Sequence, residues 1–423
     1  MDSHQFPPLG LVAQSPPAPG LPDPALAVAR ELGRLSLGPR VKPGQSVAIT
    51  AGSRAIAQIP SILAVIVAEM KKLRAEPCIF PAMGSHGGAT AQGQTELLAS
   101  LGITEESVGA PIEASMDTIQ LGETNEGIPV HVSQCAAQAD HIVVVNRVKP
   151  HTKFKGEIES GLMKMLAVGM GLHQGAAALH ALAPSLGMET VIRSPARLAL
   201  KQLPVLFGLG IVETANHQVH SVKALLSKQL EAGEQKLLVL AKELAPKLPF
   251  PDIDLLIVDE IGKNFSGTGM DPNVTGRNRD LLGEFTTGQT TRRILVRDLS
   301  PASKGNGLGI GLADFSTDRA VAAMDYQKTL TNALTAMSPE KAAIPPHFSS
   351  DQEAVLAALN SLGRWSPDTT KLVRIPNTLH IQQAMVSPAL LRELPGNLRV
   401  VAEPSPMVFT EKGNLLDFPG KED

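Results

Sequence analysis

Aromatic residues are scarce in this chain, and neither sign of charge is in surplus. Phenylalanine, tryptophan and tyrosine make up 3% of the 423 residues, with a single tryptophan, Trp365, and a single tyrosine, Tyr326. The 38 Lys and Arg residues are nearly balanced by 41 Asp and Glu, which gives a formal net charge of −3. Proteins that bind nucleic acid present basic surfaces or aromatic stacking platforms. The composition therefore predicts no nucleic-acid partner.

Cysteine is almost absent as well. Cys78 and Cys135 are the only two in the sequence, too few for a cysteine-ligated iron–sulfur cluster, a Cys-rich zinc site or a disulfide framework. We expect two buried or free thiols in a reducing cytosol. No uninterrupted apolar run reaches membrane-spanning length, and the acidic, proline-rich start does not resemble a signal peptide. We therefore expect a cytoplasmic protein with no membrane segment.

Short apolar runs followed by helical patterns make up most of the first half of the chain. The hydrophobic content of 43% and the charged content of 19% are typical of a soluble globular protein, and the length predicts two domains. Alternation of strands and helices predicts parallel βαβ units. The predicted strands are residues 46–50, 78–82, 141–146 and 205–212, and one long helix is predicted over residues 221–244.

A proline-rich link at residues 246–251 divides the pattern. Beyond it, predicted strands at residues 253–258, 293–296, 308–312, 371–375 and 398–402 alternate with Ala-rich helical segments. We predict an α/β fold of two α/β domains with a ligand cleft between them. The N-terminal cofactor-binding domain, residues 1–248, would have a mostly parallel sheet and an irregular start at residues 1–24. The smaller C-terminal domain, residues 249–423, would close over the site.

Three polar turns each follow a predicted strand directly. They contain Ser53 and Arg54, then Gly84, Ser85 and His86, then Lys149 and His151. Ligands of open α/β sheets bind beyond the carboxyl ends of the strands, so we predict that these turns share one pocket. The Ser53–Arg54 turn suits an anion, with a capped helix and a solvated arginine as the alternative. Two histidines flanking a pocket suit proton transfer on both faces of a carbon, although a single loop histidine is more commonly structural.

Lys164 lies in an otherwise apolar stretch, residues 161–169. Such a lysine either extends its amine to the surface or is desolvated into a nucleophile that can bond covalently to a cofactor. His173 and His180 follow, and on a single helix they would lie roughly 10 Å apart along its axis. At most one of these two histidines is therefore a metal ligand in this site.

Together these segments resemble the nickel-dependent lactate racemase family and its wider superfamily of 2-hydroxyacid racemases and epimerases. The resemblance extends over about residues 45–180 and rests on four segments in order: the Ser53–Arg54 turn, the Gly84–His86 turn, Pro150–His151, and Lys164 followed by Gly169 and His180. The steps from Lys164 to Gly169 and to His180 match the family's spacing. That spacing favours His180 over His173 as the metal ligand.

The resemblance implies a nickel-pincer nucleotide, the pyridinium-3-thioamide-5-thiocarboxylic acid mononucleotide, with Lys164 as its covalent tether. His180 would be the protein's nickel (Ni) ligand, completing a coordination that the sulfur, carbon and sulfur atoms of the cofactor begin, so no cysteine ligand is needed. Ser53, Gly84 and Ser85 would hold the cofactor. Cofactor-biosynthesis proteins would be partners for its loading.

The reaction that the resemblance implies is racemisation or epimerisation of a 2-hydroxyacid. A hydride would leave C2 of the substrate and return to either face of the planar 2-oxoacid, with His86 and His151 as alternating acid and base. Arg54 would bind the substrate carboxylate. Lys263 and Arg277, in a glycine-rich loop of the second domain, are further candidates for substrate binding.

Two positions depart from the family on the substrate side of the site. Lactate racemases usually have an aspartate where this chain has Ala51 and an arginine where it has Gly87. The cofactor chemistry does not depend on these positions, whereas recognition of the substrate does. The departures favour a 2-hydroxyacid that is larger or more polar than lactate.

Two other functions stay open on the residues alone. A zinc-dependent hydrolase or lyase could use His86, His151 and His180 as ligands, although no His-x-x-x-His or His-Glu-x-x-His pair is present. A noncatalytic protein could bind a nucleotide or a carboxylate in the same cleft. Nickel content and a cofactor mass on Lys164 would distinguish the three.

Overall fold

Strands and helices alternate along most of the chain, and the computed structural model describes residues 6–16 and 18–419. The strands are β1 (Leu9–Gln14), β2 (Ser46–Ala51), β3 (Glu76–Pro81), β4 (Thr118–Glu123), β5 (Pro129–Ser133), β6 (His141–Arg147), β7 (Val205–Glu213), β8 (Val219–Leu226), β9 (Asp252–Ile261), β10 (Thr290–Leu299), β11 (Ser316–Thr317), β12 (His347–Phe348), β13 (Leu372–Ile375), β14 (Gln383–Val386) and β15 (Leu398–Ser405). The helices are α1 (Pro24–Gly33), α2 (Ile59–Lys72), α3 (Ala91–Ser100), α4 (Glu105–Val108), α5 (Gln134–Gln138), α6 (Leu162–Lys164), α7 (Leu172–Leu186), α8 (Met188–Gln202), α9 (Leu230–Leu244), α10 (Pro272–Thr275), α11 (Asp318–Ala322), α12 (Tyr326–Thr335), α13 (Asp351–Asn360) and α14 (Pro388–Leu391). A π-helical turn, Met165–Gly169, separates α6 from α7.

The described residues fall into two units, each of which combines a sheet with helices. The first unit contains residues 18–245 and 282–284, and the second contains residues 6–16, 246–281 and 285–419. The predicted α/β fold class is confirmed. The chain leaves the first unit after Ala245, at the start of the proline-rich link.

A five-stranded sheet in the order β3-β2-β6-β7-β8 forms the centre of the first unit. All neighbouring strands in it are parallel except the β7–β8 pair, which confirms the mostly parallel sheet. β2 and β6 are continuous buried apolar runs because both faces of a parallel sheet are covered by helices. Because β3, β2 and β6 are parallel neighbours, their carboxyl ends lie side by side at one edge of the sheet.

The core on one face of this sheet anchors the segment that carries Lys164. Leu162 and Met163 are fully buried there, together with residues of α7, α8 and α9. Each of those three helices has 15 residues. No helix in residues 6–16 and 18–419 is long and apolar enough to cross a membrane.

The predicted helix at residues 221–244 is wrong over its first part. Val219–Leu226 is strand β8, which pairs with β7 as an antiparallel hairpin, and helix α9 begins only at Leu230. The hairpin turn is closed by a 2.9 Å hydrogen bond from the Thr214 N–H to the Gln218 carbonyl, and His217 adopts a φ of 56°. Strand formation here depends on pairing with β7, which the local Lys- and Leu-rich pattern does not reveal.

The prediction that residues 1–24 are irregular is wrong for Leu9–Gln14. This segment is β1, and it lies between β14 and β15, antiparallel to both, in the six-stranded sheet of the second unit. Leu9, Val12 and Ala13 are buried there. A lone apolar run between prolines has no local pairing partner, so the sequence gives no sign of its place near the other end of the chain. Residues 1–5 and 17 of that prediction lie outside the described residues.

The sheet of the second unit is mixed, in the order β10-β9-β13-β14-β1-β15, with β10, β9 and β13 parallel to one another. A strand predicted at residues 308–312 is wrong, because Ile310–Leu312 forms a turn of 3-10 helix. Gly309 just before it has a φ of 103°, and a Cβ there would collide with the Thr268 carbonyl. Glycine density in this segment marks close backbone packing and not a strand.

Candidate active site

The turns that follow β2 and β3 meet at the carboxyl edge of the sheet. The Ser53 hydroxyl contacts Nδ1 of His86 directly, so the first two polar turns belong to one site. Gly84 adopts a φ of 60°, which favours glycine. Ser85 and His86 are exposed at the tip of that turn. The predicted convergence of the two turns therefore holds for Ser53 and His86. The partner of the Ser53 hydroxyl in this structure is His86, and its role in holding a cofactor stays a prediction.

The turn after β6 brings His151 to Lys164. The Lys164 amine, Nζ, lies 2.9 Å from Nε2 of His151. The backbone N–H of Lys153 donates to Nδ1 of the same ring at 3.1 Å, so Nδ1 carries no proton. A neutral imidazole then has its proton on Nε2 and donates it to Lys164. An amine can accept such a hydrogen bond only in its neutral form.

The surroundings favour that neutral form. Burial, followed by the charges of Lys149, Arg54 and Lys153, lowers the pKa of Lys164 from 10.5 to about 7. Burial and the neighbouring lysines, Lys164 first, also hold the pKa of His151 well below its usual range. A lysine with a pKa near 7 is about half in the neutral, nucleophilic amine form at pH 7, which is the state needed for covalent bonding. Of the two readings of Lys164, the desolvated amine is the one that these surroundings favour.

The depressed pKa of Lys164 makes stability depend on pH. Between about 7 and 10.5 the unfolded chain binds a proton at this lysine more readily than the folded chain does, so the free energy of unfolding rises with pH across that interval. Lys164→Met removes the group. We expect thermal unfolding to show wild type less stable than this variant at pH 7, with the difference narrowing as the pH approaches 10.5. A difference that is constant with pH would contradict a desolvated lysine.

His180 lies on α7, in the same electrostatic cluster. Its side chain is exposed, although partial desolvation, together with the charges of Lys164 and Lys153, lowers its pKa. A neutral imidazole is the form that binds a metal ion. His173 lies two turns earlier on α7 and is exposed as well. The charge of Lys164 acts on His180, and metal binding by His180 stays a prediction.

Glu159, which the sequence reasoning missed, holds the His151 loop in place. Its carboxylate is fully buried and accepts hydrogen bonds from the N–H groups of His151 at 2.6 Å and Gly156 at 3.2 Å. Lys242 forms an ion pair with it at 2.6 Å. A carboxylate just before the apolar run was the available signal, but its cationic partner is far away in the sequence. Glu159 thereby fixes the backbone from which the His151 ring projects.

Glu234, also missed, holds the helix that carries Lys164. It extends from α9, and its carboxylate accepts the Met163 N–H at 2.7 Å, so it satisfies a free donor at the start of α6. Gly161 leaves room for it, because a Cβ there would collide with the carboxylate. Burial raises the pKa of Glu234 to about 7. Glu234 lies on the buried stripe of α9 with Leu230, Leu237, Leu238 and Ala241, and this spacing was the available signal.

We expect Glu234→Ala to lower the free energy of unfolding by about 1–3 kcal/mol, because the buried Met163 N–H loses its acceptor. Glu234→Gln keeps an acceptor oxygen and should stay close to wild type. Since the raised pKa lets the folded state bind a proton more tightly, the contribution of Glu234 decreases as pH rises from 4.5 to about 7. Urea unfolding over this range checks both points. An equal loss in the two variants would exclude the capping role.

Glycines allow the Lys164 segment to pack against the turn after β3. The Gly84 N–H donates to the Gly169 carbonyl at 3.2 Å. A Cβ on Gly169 would lie 2.6 Å from the Ala82 carbonyl, closer than any side chain tolerates. The spacing from Lys164 to Gly169 therefore has a structural cause: the π-helical turn must pass directly beside the end of β3.

Arg54 adds positive charge to the cluster. Desolvation and the nearby charge of Arg147 lower its pKa, although part of its side chain is exposed. Arg147 is itself paired with Glu213. Arg54 also contributes to the lowered pKa of Lys164, so its charge acts on the same group of residues. Such an accumulation of cations suits an anionic ligand.

Comparisons with known proteins show similarity to lactate racemases in sequence and in fold. Residues 26–182 match the model of the lactate racemase N-terminal domain. These residues belong to the lactate racemase N-terminal domain family. Its fold is similar to the lactate racemase apoprotein from Thermoanaerobacterium thermosaccharolyticum, with a TM-score of 0.53 and 13% identity over 90% of this chain and 95% of that chain. A structural-genomics protein from Thermotoga maritima aligns with 85% of this chain and 98% of its own, at 12% identity and a TM-score of 0.49. No curated protein matches the chain in sequence.

The match to the lactate racemase N-terminal domain includes every candidate residue of the first unit but ends well before Lys263 and Arg277. In the second unit, the Lys263 amine donates to the Gly267 carbonyl at 2.7 Å and to Asn332 at 2.8 Å. Arg277 pairs with Asp314 and donates to two backbone carbonyls. Both side chains thus have partners within their own unit. Substrate binding by them stays a prediction.

Proposed function

We propose that this chain is a racemase or epimerase of a 2-hydroxyacid, an isomerase that works with a nickel-pincer nucleotide tethered to Lys164. The observation that carries the proposal is the Lys164 amine, with a pKa lowered to about 7 and Nε2 of His151 at 2.9 Å. A lysine kept neutral by desolvation lowers the stability of the folded state. Its presence beside an acid–base group is therefore best explained by covalent chemistry at the amine.

The residues present fit such a cofactor. Lys164 offers the nucleophilic amine that a tether requires, and His180 offers an imidazole whose lowered pKa keeps it available as a nickel ligand. Ser53, Gly84 and Ser85 would hold the phosphate of the nucleotide in the positive field of Arg54. When bound, the group would supply an electrophilic ring carbon able to accept the C2 hydrogen of the substrate with its electron pair.

The chain's own residues would move the hydroxyl proton. His151 is held neutral with its proton on Nε2, and its backbone is fixed by Glu159. His86 is oriented by the Ser53 hydroxyl. Each imidazole would serve as base for one enantiomer and return the proton for the other. Their separate attachments, one after β6 and the other after β3, suit action on two faces of one carbon.

Arg54 would bind the carboxylate that every 2-hydroxyacid carries. Its side chain belongs to a cluster with Lys149 and Lys153 whose charges all act on Lys164. Ala51 and Gly87 replace the aspartate and the arginine usual in lactate racemases. We propose that the substrate is larger or more polar than lactate, since these small residues leave space and the cations attract additional anionic groups.

The test is chemical analysis of the chain purified from a host whose cofactor-biosynthesis proteins can load it. We expect about one nickel ion per chain and a covalent mass increase that maps to Lys164. Deuterium-labelled 2-hydroxyacids, screened on this holoprotein, should then identify the substrate by scrambling of configuration at C2.

Other results would replace the proposal. Zinc without an added mass would indicate a hydrolase or lyase, although His86, His151 and His180 are not among the three-ligand groups found in the described residues. Neither metal nor added mass, in material from a cofactor-producing host, would indicate a noncatalytic binding protein.

A further inference from the structure

Both cysteines of the chain meet at one place in the first unit, and a glutamate joins them. Cys78 lies in β3, Cys135 lies in α5, and Glu113 belongs to the segment between them. Their metal-binding atoms, two thiol sulfurs and one carboxylate oxygen, all lie within 4.8 Å of one another. Cys78 and Cys135 are separated in the sequence by α3, α4 and the β4–β5 hairpin. Their meeting is therefore a result of the tertiary fold.

Backbone pairing holds Glu113 beside Cys78. The Ile79 N–H donates to the Pro111 carbonyl at 2.8 Å, and the Glu113 N–H donates to the Ile79 carbonyl at 2.8 Å. This parallel bridge extends the sheet by a few residues next to β3. Cys135 is placed from the other side, where the N–H of Gln134 donates to the Asp117 carbonyl at 2.9 Å. The three side chains thus project from backbone that is already fixed.

The spacing and exposure suit a metal ion. Ligand atoms around tetrahedral zinc are about 3.6 Å apart for a sulfur and an oxygen, given bond lengths of about 2.3 and 2.1 Å. Cys135 Sγ lies 3.5 Å from Oε2 of Glu113. The cysteines are half-buried and Glu113 is exposed, so an ion could enter from solvent on the glutamate side.

We propose that Cys78, Glu113 and Cys135 form a binding site for one zinc ion, with water as the fourth ligand. Two thiolates and one carboxylate match the donor preferences of zinc. Coordination as thiolates releases the thiol protons to solvent, and the ion takes their place. Cysteine count alone excludes a Cys-rich zinc site, but it leaves a site of two thiolates and a carboxylate open.

Proton release makes binding depend on pH. The hydrogen bond with Cys78, burial and the Glu113 carboxylate all raise the pKa of the Cys135 thiol. Without metal, the thiol therefore keeps its proton, and zinc must compete with it. Affinity should increase with pH, and protons should appear in solution as the ion binds.

The test is titration of the reduced, metal-free full chain with Co²⁺, followed by Zn²⁺. We expect about one Co²⁺ per chain with a thiolate-to-cobalt charge-transfer band and the visible bands of tetrahedral cobalt, all abolished by Zn²⁺. Loss of even an outer-shell partner weakens metal binding by about 10–100-fold. Cys78→Ser and Cys135→Ser should each weaken it by roughly 100-fold or more, and Glu113→Gln by about tenfold with the charge-transfer band retained.

His180→Ala is the matched control, because cobalt bound by an imidazole gives no thiolate band. This variant should keep the band unchanged. Because a serine variant could fold poorly, protection of the wild-type thiols by Zn²⁺ against a thiol reagent provides an independent measurement. Absence of the band in reduced wild-type protein, its survival in both serine variants, or thiols that stay fully reactive with zinc present would each overturn the site. The site would also be overturned if Cys78 and Cys135 formed a disulfide and the thiols obtained by reducing it bound neither Co²⁺ nor Zn²⁺.

Discussion

Replacement of Lys164 by alanine is expected to abolish covalent loading of the cofactor while the chain stays folded. The lysine amine is the nucleophile of the proposed tether, and alanine has no group that could replace it. The substitution also removes a desolvated amine with a pKa near 7, so the folded state loses an unfavourable burial. Intact-protein mass spectrometry of wild type and variant, produced together with the cofactor-biosynthesis proteins, measures the loss directly.

The matched control is Lys201→Ala, an exposed lysine on α8 in the same unit. It should load as wild type does. Lys164→Arg offers a second comparison, since arginine keeps a positive charge but is not a nucleophile at neutral pH. Loading equal to wild type in Lys164→Ala or Lys164→Arg would exclude the tether. Circular dichroism shows whether each variant folds. If one variant does not fold, the loading of the other variant decides.

Sequence patterns were sufficient to find the edge of the sheet where the site lies. Polar turns after β2, β3 and β6 could be recognised because each follows a short apolar run, and parallel strands bring such turns to a common edge. Lys164 could be recognised for a different reason, as a charge in an otherwise apolar stretch. Neither inference required knowledge of distant contacts. The Ser53–His86 contact agrees with the inference from the polar turns, and the His151–Lys164 contact agrees with the inference from the charge of Lys164.

Residues that support the site were not predictable in this way. Glu234 contacts the start of α6 from a helix that lies far along the chain, and Glu159 is neutralised by Lys242 of the same distant helix. The apolar stripe of α9 indicates that Glu234 points inward, but it does not show which backbone group the carboxylate meets. The same limit applies to β1, whose partners β14 and β15 are nearly a chain length away. Contacts between residues far apart in the chain determine where these residues lie, and the pattern of a single sequence does not reveal such contacts.

Substitution of His151 or His86 by alanine is expected to reduce turnover by about 10²–10⁴-fold, the usual contribution of a positioned acid–base group. His151→Ala removes the imidazole whose Nε2 faces Lys164, and His86→Ala removes the one held by Ser53. Cofactor loading of each variant must be checked by mass first, because His151 contacts the tether. A loss of turnover in a fully loaded variant would then be attributed to the loss of proton transfer by the histidine.

Both reaction directions should fall together. A substitution cannot change the equilibrium constant between the two configurations, so it must lower kcat/KM by the same factor in both directions, even though each histidine serves a different face. Ser53→Ala should have a smaller effect, because Ser53 orients His86 without itself taking the proton. Rates of loss of optical rotation from either enantiomer, with the substrate found in the deuterium screen, measure all three variants. Full activity in His86→Ala or His151→Ala would remove that residue from the acid–base pair and leave the other to work with water.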